Sequence, residues 1–478
     1  MKIIARIILF LSIALIAAFC KEDEFITDSN AGLGFSEDTI LFDTVFTTIG
    51  TTTQWLKIYN PHNKYLNISR IYLAGGNNSV FRMNVDGKSA REVTNKKIPP
   101  KDSLYILIEA TINPNDENSP IFIKDSIVFI TNNNIQDVKL IAWGQDVHYY
   151  NNEIIETSVW DNDKPYLIYG NLVVDSTCTL TVNEGVRVYL HWQSSLVILG
   201  TISINGTKEN PVVFQGDRLE EEYDDEAGQW WALALIYGSI NNSINHVIIK
   251  NATVGIQVGV PCQDQPDDVV ISNTLIQNSS AFGLYSFGGN IKVYNSVICN
   301  SGYSNFYVSK GGNYEVYHST IASGKSSKYP SVVLSNYTEC SYAVNDWTDT
   351  SEIIVKDLEK ASFINSIIWG NNDSELATAD KSGGELNYKF DNCLIKLIKD
   401  SFDTENTVFF ENNIYNTNPK FVNARNNNFK LDTLSPAKDK GNADLISGID
   451  ILRYDFNDTS RFEDNAPDLG AYERYEND

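Results

Sequence analysis

The chain has 478 residues, 42% hydrophobic and 12% aromatic, which is enough apolar surface for two or three folded domains and too aromatic for disorder. Its 37 basic and 61 acidic residues give a net charge of −24, and a surface that acidic repels phosphate backbones and excludes a general nucleic-acid binder. Val, Ile, Thr, Tyr and Asn recur while long helical runs are missing, so the chain reads as all-β.

Residues 1–20 read as an export signal. Lys2 and Arg6 precede an apolar stretch, Ile7 to Ala18, that is too short to span a ~30 Å hydrocarbon core. Cys20 then follows Ala17, Ala18 and Phe19. This resembles the bacterial lipoprotein box, in which the cysteine is diacylated and becomes the new N-terminus. Lys21-Glu22-Asp23-Glu24 resembles the Lys-plus-acidic tag that sends Bacteroidetes-type lipoproteins to the outer face of the outer membrane. The resemblance implies a signal peptide over 1–19, an acidic tether over 20–34, and a lipid on Cys20 as the only membrane attachment. Five cysteines remain beside Cys20, namely Cys178, Cys262, Cys299, Cys340 and Cys393, so at least one thiol stays free. They show no metal-ligand spacing, their pairing is open, and a large β core makes staples unnecessary.

Residues 35–149 carry short alternating runs, among them 53–59, 66–73, 103–109, 125–130 and 137–143. Asn60-Pro61, Pro99-Pro100 and Asn132-Asn133-Asn134 punctuate them. About seven strands of period two describe an antiparallel sandwich. Phe42-Asp43-Thr44-Val45 and Leu140-Ile141-Ala142-Trp143-Gly144 resemble the immunoglobulin-like modules of bacterial surface lipoproteins.

Residues 150–415 carry an internal repeat. The pattern is apolar, any, Asn or His, small, apolar, Ile, as in Val293-Tyr294-Asn295-Ser296-Val297-Ile298. The Asn/His positions are His246, Asn273, Asn295, His318, Asn365 and Asn392, at steps of 27, 22, 23, 47 and 27. Short strands with an amide at one fixed turn predict a right-handed parallel β-helix of about ten coils, each strand stacked on its copy at ~4.8 Å. A column of Asn at an inward turn satisfies buried turn groups through neighbouring amides. The long step holds one normal coil, with Pro330 to Ser335 as its second strand, so residues 337–360 are expected to bulge outward. Gly206-Thr207-Lys208-Glu209-Asn210-Pro211-Val212 and the repeat together resemble the pectin-lyase-like β-helix proteins of Bacteroidetes. Residues 416–478 lose the repeat, and Ala466-Pro467-Asp468-Leu469-Gly470-Ala471-Tyr472 resembles the C-terminal region of "choice-of-anchor" surface proteins. A solenoid end exposes unpaired strand edges, so this region is expected to be a terminal cap.

Lyases, glycosidases, tail spikes and passive adhesins share the β-helix, so function must be argued from a site. His191 stands beside Trp192 in the first coils. The densest acidic run, Asp217 to Glu226, precedes Trp230 and Trp231. It offers either a Ca²⁺ site or an acid pair, Asp224 and Asp225, set against a sugar stacked on Trp230. Its spacing matches no calcium loop, and consecutive acids usually form a solvated face. A second run, Asp264 to Asp268, meets the first if the coils stack as aligned. The candidate ligand-binding residues are therefore Asp217, Asp224, Asp225, Trp230, Trp231 and His191; no catalytic residue, metal or cofactor is assigned. The expected function is glycan or surface-partner binding by a lipid-anchored protein facing the cell exterior. A polysaccharide lyase or glycoside hydrolase is the first rival and a structural spacer the second; the missing base argues against a lyase.

Overall fold

The chain divides into two units, residues 1–146 and 147–478. The structure, a computed structural model, describes residues 24–475 except 48, 115–119, 264–266, 326, 346–347 and 464. The signal segment, Cys20 and the start of the tether lie outside the described residues.

In the first unit, alternation decides which side chains turn inward. Leu56 and Ile58, Ile106 and Ile108, and Phe81, Met83 and Val85 are buried, and their sequence neighbours face outward. One sheet has the order Gly34–Phe35, Gln54–Tyr59, Ser103–Ala110, Phe81–Val85, Lys88–Ser89. The other has the order Thr39–Phe46, Asn134–Gln145, Ile121–Thr131, Leu66–Leu73, Glu92–Ile98. Their inner faces share one core around Phe42, Phe81 and Phe129. The sandwich differs from the expected seven antiparallel strands in two ways. Two-residue strands such as Gly34–Phe35 are too short to show a period, and Thr39–Phe46 runs parallel to Asn134–Gln145. The expected tether is also partly built in. Ile26 donates its amide to the Tyr65 carbonyl, and Ala31 and Leu33 are buried, because their apolar side chains join the sandwich core.

The second unit is the parallel solenoid. Each full coil runs strand, turn, strand, turn, strand, and so has three faces. The first face is a sheet of ten strands from Ser158–Trp160 to Phe410–Glu411. The second and third faces form one 18-stranded sheet. Ile271, Val293, Val316, Phe363 and Phe390 stack in register through the core.

The six repeat positions are the turns between first and second faces. His246, Asn273, Asn295, His318, Asn365 and Asn392 all take the left-handed conformation, with φ between 41° and 50°. Asn and His are enriched there, whereas a β-branched residue would clash, and this accounts for the residue types. The amides differ from expectation in what covers them. Asn295 donates to the carbonyls of Ile451 (3.0 Å) and Tyr454 (2.9 Å) and to Asn273 Oδ1 (3.3 Å). Asn365 donates to the Asn442 carbonyl and accepts from the Asn442 amide. Arg461, fully buried with Glu473 against it, donates to Asn295 Oδ1 at 3.0 Å. The C-terminal segment is thus a layer along the solenoid's flank rather than a cap on its end. The turns leave amides pointing off that flank, and only a covering layer can satisfy them. At the two ends of the column, Asn392 turns to Asp391 and neither ring nitrogen of His246 finds a partner.

Residues 337–355 bulge outward as the antiparallel hairpin Tyr337–Asn345 and Thr348–Val355, but Leu358–Ile364 already runs as a first-face strand, so the bulge ends short of the expected residue 360. The chain does use a staple. Cys262 and Cys340 form a disulfide that ties this hairpin to the loop after Ala252–Val258, since a hairpin standing off the solenoid has little core of its own. Cys178, Cys299 and Cys393 are free, and burial pushes the Cys393 thiol up to about 12.

Candidate functional site

Strands Arg187–Leu190 and Val212–Gly216 pair in register, Leu190 opposite Gly216, so the residues that follow them are also neighbours. These are His191 and Asp217. His191 Nδ1 lies 2.7 Å from Asp217 Oδ2. The hydrogen bond to Asp217 raises the imidazole's pKa above the usual 6.5, against the opposing effect of burial. Tyr169 stacks on the imidazole at 4.0 Å, and burial and the Asp217 charge push its hydroxyl well above the usual tyrosine range. The pair forms one wall of a cleft of about 660 Å³ that Trp192, Glu222, Tyr223 and Glu226 also line. Arg218 is held in this cleft by Glu220, at 2.9 Å, and by the face of Tyr223, at 3.9 Å.

The other sequence candidates separate. Trp230 and Trp231 alternate as strand neighbours do. Trp230 is 0% exposed, with Nε1 bonded to the Lys250 carbonyl at 2.9 Å, and it cannot stack on a sugar. Trp231 is 47% exposed. Its amide donates to the Ser194 carbonyl, two residues along from the exposed Trp192. Asp224 and Asp225 do not act as a pair. Asp225 accepts from Asn278 at 3.0 Å, while Asp224 lies 3.9 Å from Lys250 Nζ. Among the described residues no group of three or more His, Cys, Asp or Glu side chains converges as metal ligands would. The first acidic run precedes Trp230–Leu235, whereas Asp267 and Asp268, the described part of the second, follow Ala252–Val258, at the other end of the third face. Asp264 itself lies outside the described residues. Asp267 is buried beneath that end, where it accepts from the amides of Gly238 and Ser239, and burial raises its carboxyl to about 6.

The sequence reading missed an aromatic track on the third face. Gln257, Tyr285, Tyr307 and Val333 stack in register on its outer side. Phe282 packs 4.4 Å from Tyr285 and 5.1 Å from Tyr307, and Tyr303 and Tyr329 extend the patch at the next turn. Lys328 Nζ lies 4.8 Å over Tyr303. The signal was present, because Tyr285 and Tyr307 hold the same place in the copies Phe282 to Ser286 and Ser304 to Val308. A further hollow of about 460 Å³ lies on the first face, where Glu315 is already paired with Lys360 at 3.1 Å and Lys292 at 3.7 Å.

Residues 152–259, which include the cleft, match a pectate-lyase-like β-helix domain. That match and the ladder topology agree on the fold. The chain is also similar, at a low level, to two solved structures. One is the catalytic domain of a GH87 α-1,3-glucanase in complex with nigerose, at 11% identity and a TM-score of 0.19, covering 71% of this chain and 82% of that one. The other is the catalytic unit of a thermostable GH87 α-1,3-glucanase from Streptomyces thermodiastaticus, at 10% identity and a TM-score of 0.23, covering 71% and 83%. No curated protein sequence matches the chain.

Proposed function

We propose that the chain is a lipid-anchored surface protein whose β-helix binds glycans along its third face without cleaving them. The observation that carries this reading is two groups of aromatic side chains, the exposed Trp192 and Trp231 beside the cleft and the half-buried Tyr285 and Tyr307 on the outer side of the third face. Such rings stack on the apolar faces of sugars, while the His191–Asp217 pair and the cleft's carboxylates bond hydroxyl groups. The Cys262–Cys340 disulfide fits an oxidising, extracytoplasmic setting, as the N-terminal export signal implies. Cys20→Ser should release the protein from membranes, and full retention would defeat the anchor.

A polysaccharide-degrading enzyme is the second reading. It is favoured by the convergence of His191, Asp217, Glu222 and Glu226 on one cleft within the pectate-lyase-like stretch. A glycan array and a polysaccharide-degradation screen of residues 21–478 separate the two. Binding without new reducing or unsaturated ends, weakened at least about tenfold in a Trp192→Ala/Trp231→Ala variant, supports the binding reading. Chain cleavage abolished by Asp217→Asn would replace it with the enzyme reading.

A further inference from the structure

We infer that the outer face of one sandwich sheet is a second carbohydrate site, built for polysaccharides that carry carboxylates. Strands Gln54–Tyr59 and Ser103–Ala110 bury Leu56, Ile58, Ile106 and Ile108, and their alternate residues face solvent. Polar residues would satisfy that outer face. It carries instead Trp55, 56% exposed, Tyr105, 49% exposed, and the exposed Tyr59 and Leu107. Register brings them together: Trp55 lies opposite Leu107, and Lys57 opposite Tyr105. The Trp55 and Tyr105 rings meet edge to face at 5.9 Å. Lys57 Nζ sits 5.1 Å from the Tyr59 ring and 5.4 Å from the Tyr105 ring.

An exposed aromatic group of this kind marks an interaction surface. Its chemistry selects the partner. The face is flat, so it suits a polymer lying across strands rather than a small molecule in a pocket. Lys57 makes no ion pair among the described residues, while Glu109 on the adjacent strand is engaged by Thr53 Oγ1 at 2.8 Å. In a chain of net charge −24, the outward positions of Gln54–Tyr59, Phe81–Val85 and Ser103–Ala110 carry Lys57 and Arg82 against Glu109. A uronate ring stacked on Trp55 or Tyr105 would bring its carboxylate to the Lys57 ammonium, and a neutral glycan would leave that ammonium unpaired. A second copy of the chain fits worse, because a two-fold contact here would bring a second Lys57 to the interface and no carboxylate partner for either.

Native affinity electrophoresis of residues 21–478 through gels containing polygalacturonate or dextran tests the proposal. Polygalacturonate should retard the wild type and dextran should not. Trp55→Ala and Lys57→Gln should each raise the apparent Kd at least about fivefold with an unchanged melting curve, since both side chains are at the surface. In the Trp192→Ala/Trp231→Ala background, which removes the solenoid's proposed glycan contacts, Trp55→Ala should still raise the apparent Kd at least about fivefold. No retardation by polygalacturonate, or equal retardation by dextran, would overturn the inference. So would retardation lost in the solenoid variant and kept in Trp55→Ala, or a dimer of the wild type that Trp55→Ala dissociates.

Discussion

Two columns of left-handed turns line the solenoid's middle coils, and they do different work. The first, His246 to Asn392, lies between the first and second faces and is roofed at its centre by the C-terminal layer. The second lies between the second and third faces and includes Asn251, Asn278 and Asn300, with φ of 65°, 55° and 56°. Its amides hold inserted loops. Asn251 donates to the Asp224 carbonyl at 2.8 Å, Asn278 donates to Asp225, and Asn300 accepts from the amide of Gly324. The backbone makes the same demand at both turns, and the same residue type meets it. What differs is the partner of each amide. The first column glues down the covering layer; in the second, Asn251 and Asn278 fix the acidic loop that walls the cleft, and Asn300 reaches the covering layer at the Ala424 carbonyl.

The columns should therefore break differently. The largest effect is expected at the roof: Arg461→Ala leaves Glu473 buried without its cation, and chemical denaturation should show a loss of about 3–5 kcal/mol. Asn295→Leu combines a strained left-handed leucine with lost acceptors and donors, and should cost about 2–4 kcal/mol. Asn278→Gly keeps the turn and removes only the amide, so its global cost should be about 0.5–1.5 kcal/mol. Its signature should instead be faster hydrogen exchange across residues 217–229 and weaker glycan binding. Equal costs for Asn295→Leu and Asn278→Gly would erase the distinction between the columns.

The smallest effect concerns the His191–Asp217 pair beside the second column. The pKa of His191 is raised in the folded chain, so its stabilising contribution is present below about 6.5 and fades as pH rises through the raised value. The melting-temperature gap between wild type and His191→Gln should be widest under mildly acidic conditions and close at alkaline pH. A gap that widens with pH would mean the pair is not charged as described.

Much of the solenoid was legible because stacking copies one residue type from coil to coil. Asn273, Asn295 and Asn365 announced the turn, and the broken 47-residue step announced the hairpin. The flank layer was not legible. Its decisive contacts join Asn295 to Ile451, Tyr454 and Arg461, and no periodicity encodes pairs that far apart. The Cys262–Cys340 pairing was hidden for the same reason, its ends lying 78 positions apart. At the candidate site, sequence proximity misled. Trp230 and Trp231 look equivalent in the sequence, but adjacent strand residues face opposite sides, and Asp224 and Asp225 likewise part toward different partners. His191 and Asp217, 26 positions apart, meet because their strands stack one rung apart.

The most direct test of the central claim is hydrogen exchange by mass spectrometry on residues 21–478, with and without a glycan selected on the array. The account predicts new protection in residues 191–194 and 217–231 and across the strands bearing Tyr285 and Tyr307, with none along the roofed column. Protection confined to the C-terminal layer, or to the first face around Glu315, would contradict it.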